Sequence, residues 1–153
     1  MSDGTPPAEG LGAIDLEHAF RRPFVAGAGD IDELGHVNNT VYLRWVQDVA
    51  VAHWSTVAPP LLKTRVFFVV LRHEIDYRDP VLAGETVIAS TWLGAARGPR
   101  FDRHVEIRKQ GAAKFSARAL TTWCMVNKAT GRPERVGADV FAAFGLDPSV
   151  LRS

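Results

Sequence analysis

The chain has 153 residues, 46% of them hydrophobic and 23% charged, with a formal net charge of +1. That length suits one domain with a sizeable core, and a near-neutral balance with scattered arginines excludes an extended basic surface for nucleic acid. The single cysteine, Cys124, excludes an intrachain disulfide and reads as a small buried hydrophobe in an apolar run. The longest strongly apolar stretch, Val66 to Leu71, is far shorter than the roughly 20 residues that span a bilayer. The first residues lack the basic start and apolar core of a targeting segment, so the expected setting is a reducing, cytoplasmic one.

In chain order, residues 1–17 are small, polar and rich in Gly and Pro, and the expectation is a flexible tail before one domain at 18–153. Phe20 to Ala28 reads as a first strand, with Pro23 pointing to an edge. The segment GDIDELGHVNN (29–39) then gathers carboxylates, a histidine and two asparagines in a loop. From Asn39 to about Ser55, Val41, Tyr42, Trp45, Val46, Val49 and His53 recur at helical spacing, while Thr40, Arg44, Gln47, Asp48 and Ser55 line the opposite side. Asn38 or Asn39 is suited to cap the first turn, and Pro59-Pro60 ends the helix.

The period then changes. In RVFFVVLRHEIDYR, alternation places Phe67, Val69, Leu71, His73, Ile75 and Tyr77 on one side. TVIASTWLG, FDRHVEIRKQ and KFSARALTTWCMVN read as further strands, and ADVFAAFGL as a short amphipathic ending. In the third of these four strands, Phe101, Arg103, Val105 and Ile107 share a face. Short links suggest a four-strand meander. A long buried helix followed by antiparallel strands is an α+β arrangement, and the helix buries both flanks only if the sheet curls around it.

The order of GDIDELGHVNNTVYLRW, long helix and EIDYRDPVLAGE resembles the hotdog-fold acyl-CoA thioesterases of the 4-hydroxybenzoyl-CoA thioesterase group, in particular the long-chain acyl thioesterase-like branch with Gly-His-Val-Asn-Asn. The resemblance covers roughly residues 20–146. It implies a hotdog fold, a long central helix wrapped by a curved antiparallel sheet of about five strands. It also implies hydrolysis of an acyl thioester to a free acid, without cofactor or metal, by a homodimer or homotetramer acting on acyl-CoA or an acyl carrier protein. Asp32 is implied as the catalytic carboxylate, with the backbone amide of Asn39 polarising the carbonyl and His36 assisting. Asn38, Tyr42, Arg97 and Arg100 are the candidate substrate contacts, the two arginines toward the phosphates of coenzyme A.

The chemistry fits these residue types. A thioester carbonyl becomes an oxyanion on attack, and a helix start offers unpaired N–H groups there. A thiolate leaves with little protonation, so one carboxylate and a helix end can replace a full triad. Direct attack by Asp32 and activation of water by it both remain open. Without the resemblance, Asp30 and Asp32 read as loop and capping residues, and Asp30 keeps that reading. Gln47 stands where many relatives carry a carboxylate, which keeps a non-catalytic binder of acyl thioesters in play. The spacing from Asp32 to His36 does not match the Asp-x-Asn-Pro-x-His pattern of hotdog enoyl-CoA hydratases. The five histidines show no paired metal-ligand spacing, and His53 reads as a packed residue.

Overall fold

The computed structural model describes residues 15–147. Most of the expected tail therefore lies outside the described residues. The described chain runs β1 (Phe20–Val25), α1 (Asn39–Val57), α2 (Pro60–Arg65), β2 (Val66–Tyr77), β3 (Thr86–Arg97), β4 (Arg100–Lys109), β5 (Ala117–Asn127) and α3 (Ala138–Ala143).

The helical spacing of the sequence becomes the burial pattern of α1. Val41, Tyr42, Trp45, Val46, Val49, Ala50 and His53 are buried, and Thr40, Arg44, Gln47, Asp48 and Ser55 are exposed. Each large apolar side chain so buried contributes on the order of 1.5–3 kcal/mol. The helix closes where Ala58 N–H donates to Trp54 O, 2.9 Å. The prolines stop α1 as expected, but they also open α2, because proline at a first helical position is preset for the helix and has no N–H to leave unpaired.

All strand pairs are antiparallel, in the order β1-β3-β4-β5-β2. The expected four-strand meander is therefore corrected: β3, β4 and β5 form one, while β2 pairs with β5 at the far edge. With α1 laid between them, β1 and β2 become the two edges, and the link 78–85 must cross the sheet. β1 is an edge strand, as Pro23 suggested. It is shorter than expected, because a single 3-10 turn takes over at Ala28–Asp30.

A second correction lies in β2. Its pairing with β5 shifts register between Val70 and Arg72. An extra residue in a strand flips the alternation beyond it. Val66, Phe68 and Val70 turn inward before the bulge, and His73 and Ile75 after it. Phe67, Val69 and Leu71 are instead 39%, 38% and 48% exposed.

The sheet curls around α1, which packs on β1, β3 and β4. Phe24 stacks on Trp45 at 6.1 Å between centroids and Phe20 on His53 at 4.7 Å. A long helix held in a curved five-stranded antiparallel sheet is the α+β hotdog arrangement. Cys124 is buried and unpaired, as its apolar run predicts.

Candidate active site

The polar segment before α1 is tied at its base and open at its tip. Asp30 does the tying. Its Oδ2 accepts from Gly27 N–H at 2.9 Å and its Oδ1 from Arg44 Nη2 at 3.1 Å. Its carbonyl accepts from Asn38 N–H at 2.8 Å. The Gly27 amide, and then the Arg44 guanidinium, hold the Asp30 carboxyl below the usual carboxylate range. Both of its oxygens are thereby committed to structure.

Ile31 and Val37 pair across the neck of the loop, and Val37 is buried. Beyond that neck, residues 32–36 fold back on themselves. Asp32 N–H donates to His36 O at 2.7 Å and Gly35 N–H to Asp32 O at 3.1 Å. Gly35 sits at φ 81°, a left-handed conformation that glycine adopts without strain. Asp32 Oδ1 accepts from the amides of Leu34 (2.9 Å) and His36 (3.2 Å). Its Oδ2 meets no donor among the described residues. One carboxylate oxygen thus holds the loop while the other stays open. The His36 side chain is exposed at the tip.

Asn38 caps α1: its Oδ1 accepts from Thr40 N–H and Thr40 Oγ1, both at 2.9 Å. The Val41 amide is taken by Asn38 O at 2.9 Å. The Asn39 amide, first in the helix, donates to no described residue. It lies at the positive end of a 19-residue helix, where an anion or a developing oxyanion is stabilised.

Asp32, His36, Asn38 and Asn39 are therefore brought together by a single loop and helix start. Tyr42 lies one turn further on, in the core, 3% exposed. Its hydroxyl accepts from Val81 N–H at 3.2 Å, and burial raises its phenol above the ordinary value. Arg97 and Arg100 sit at the β3–β4 hairpin, where Gly98 takes φ 59°. In the strand register that hairpin lies about ten residues from the Val87–Lys109 end, roughly 30 Å by strand rise. Val87 belongs to the same core cluster as Val37, Val41 and Tyr42 at the helix start. Within one chain, the two arginines are at the opposite end of the sheet from the loop.

Sequence reasoning missed Tyr77. This last residue of β2 donates its hydroxyl to Asn39 O at 3.3 Å and meets Tyr42 edge-on at 5.4 Å, so it walls the helix mouth. Its signal was its place at the end of the alternating run. Arg103 is the second residue of note. Its strand's alternation sets it on one face with Phe101, Val105 and Ile107 although it is charged, and it is 3% exposed in the core. Among the described residues there is no group of three metal-ligating side chains. None of their helices is long and apolar enough to cross a membrane.

Comparison with known proteins places this geometry. A family model for the thioesterase-like superfamily matches residues 26–144. No curated protein matches the sequence. Among solved structures, the 1,4-dihydroxy-2-naphthoyl-CoA thioesterase from Synechocystis is similar at 18% identity and a TM-score of 0.72, with 83% of this chain and 96% of that one covered. A predicted thioesterase from Bacillus stearothermophilus gives 23% identity and a TM-score of 0.71 over 82% and 93%. The 12:0-ACP thioesterase from Umbellularia californica gives 19% and 0.70, covering 83% of this chain but 49% of the plant one. At such identities these likenesses speak for the fold, while the family match spans most of the chain and includes the whole loop and helix. The chain belongs to the thioesterase-like superfamily.

Proposed function

We propose that the protein hydrolyses an acyl thioester of coenzyme A, with Asp32 as the catalytic carboxylate and the Asn39 amide as the oxyanion donor. The observation that carries this reading is the presence of an unoccupied helix-start amide and an open carboxylate oxygen on one loop held by its own backbone hydrogen bonds. The substrate carbonyl accepts from Asn39 N–H. As its carbon is attacked, charge grows on that oxygen, where one such donor is worth roughly a hundredfold to a thousandfold in rate. Asp32 either attacks the carbon itself or takes a proton from the attacking water. The C–S bond then breaks and the thiolate leaves. His36, exposed beside Asp32, supports the proton transfer, and Asn38 fixes the cap that keeps the Asn39 amide pointing outward.

The edge position of β2 supports a working oligomer of at least two copies. Its outer edge is unpaired among the described residues, and Phe67, Val69 and Leu71 beside it are exposed. An unpaired strand edge with apolar flanks is a template for another strand. Joined there in an antiparallel pair, two chains bring the hairpin end of one sheet toward the loop end of the other. Arg97 and Arg100 then act on a partner's substrate phosphates.

An acyl-carrier-protein substrate is the close variant, and a binder without turnover is the rival class. Thiol release from a panel of acyl-CoAs of different chain length and aromatic head group tests the reading. Turnover of any member at enzymatic rates supports it. Tight binding of one without hydrolysis of any would move the protein to the binding class.

A further inference from the structure

Beneath the C-terminal half of α1, on the side of β2 and β5, lies a cavity of about 310 Å³, within the size range of small-molecule sites. Its wall is largely aromatic, from Trp54, Phe67, Phe68, Phe101 and Trp123. The charged residues that line it are Arg103, Lys63 and Lys128, and no carboxylate is among them. Trp54 is fifteen residues on from Asn39, about 22 Å along the helix axis, so in one chain this cavity is remote from the proposed catalytic loop.

Arg103 is the unusual element. A cation this buried ordinarily has a carboxylate beside it, because an unpaired buried charge is costly. Its Nη1 donates to His53 Nδ1 at 2.9 Å and to Thr91 Oγ1 at 3.0 Å, and its guanidinium lies 5.6 Å from the Phe144 ring centre. All three partners are uncharged when His53 accepts. The donors at Nε and Nη2 meet no acceptor among the described residues. The two lysines have their ammonium groups on backbone: Lys63 Nζ donates to Ser55 O and Lys128 Nζ to Lys63 O, both at 2.7 Å. Burial pushes the guanidinium down to about 9, so it is still charged at pH 7. The cavity thus combines an apolar wall, a positive potential and a buried fork of N–H donors without an anion to receive them.

We propose that this cavity binds a small apolar carboxylate, its hydrocarbon body against Trp54, Phe68 and Phe101 and its carboxylate on the free donors of Arg103. A guanidinium fork matches the two oxygens of a carboxylate, and such charge-assisted pairs are among the stronger hydrogen bonds. The cavity holds about ten waters at ~30 Å³ each, which suits an acid of about ten non-hydrogen atoms such as octanoate. The site stands apart from the thioesterase reading, since it requires binding and no turnover.

The test is a calorimetric titration of the full chain with octanoate and, separately, with 1-octanol, which matches the body but lacks the charge. Octanoate is expected to bind the wild type at least about tenfold more tightly than octanol. Arg103→Met keeps an unbranched apolar stem without the charge and should erase that preference, while Arg103→Lys should keep part of it. Equal binding of acid and alcohol to the wild type, or binding of neither, overturns the proposal without recourse to any variant. Octanoate can also be added to wild-type turnover of whichever acyl-CoA is hydrolysed. Competitive inhibition that vanishes with Arg103→Met identifies the acid as the product retained, and non-competitive inhibition that vanishes likewise identifies it as a second ligand. Inhibition unchanged by that substitution, in a folded variant, contradicts the site.

Discussion

Asp30 and Asp32 are the same residue type two positions apart, yet their surroundings assign them different work. Asp30 has both oxygens engaged, by Gly27 and Arg44, and Asp32 has one. Asp30→Ala should therefore loosen the loop and lower stability by about 1.5–3 kcal/mol, the range for hydrogen bonds to a charged group, read by chemical denaturation. Asn38→Ala removes a helix cap and should cost about 1 kcal/mol, since one α1 amide loses its acceptor. On the outer side of the sheet, Glu106 is 3% exposed and receives Arg108 and Arg118, with Nη2 contacts of 2.7 and 2.8 Å. Burial pushes its carboxyl up, but those hydrogen bonds outweigh it and hold the carboxyl below its ordinary value. A carboxyl depressed in the folded state contributes stability above its unfolded value, about 4.3, and that contribution fades as pH falls through the folded value. Thermal melts from pH 7 to pH 3 should show the wild type losing stability more steeply than Glu106→Gln on the acid side. Parallel curves would contradict this.

The elements differ in how far a sequence can reveal them. Helix α1 was legible almost to the residue, because its apolar spacing and Asn38 cap are local and nothing interrupts them. The strands were legible as segments, because alternation is also local. What was not legible is pairing. That β2 lies beside β5 follows from where α1 sits, which no single segment encodes. The bulge at Leu71 is a mismatch between two strands rather than a property of one, so the alternation of Phe67 through Tyr77 continued on paper past the point where the chain flips. Arg103 shows the reverse case: its strand's alternation already placed it inward, and only its charge argued otherwise. At the loop, the residue types pointed to the site, but which Asp32 oxygen stays open depends on the turn at Gly35. Deleting Leu71 should restore regular pairing, because Val70 and Arg72 already face consecutive partners on β5, and leave Val70 and His73 both turned inward. A fall in thermal stability then measures what the bulge maintains, and an unchanged melt would mean that the strand does not need the extra residue.

For the whole molecule, the single chain leaves apart two things that the proposed reaction needs together: the loop at one end of the sheet and the hairpin arginines at the other. The proposed second copy joined along β2 would reconcile them. Light scattering on the purified chain should give a mass of two or four copies, and Val69→Lys, a charge on the exposed flank of that edge, should shift it toward one. A wild-type monomer would remove Arg97 and Arg100 from the reaction. The central claim, however, rests on Asp32. Asn at this position keeps the amide oxygen that accepts from Leu34 and His36, so the loop survives while the charge is lost. Thiol release by wild type and Asp32→Asn, with both shown folded by circular dichroism, tests it most directly. A fall in kcat/KM of about 10²–10⁴ in the folded variant is the predicted result. Hydrolysis at the wild-type rate would contradict it and leave Asp32 as a loop residue.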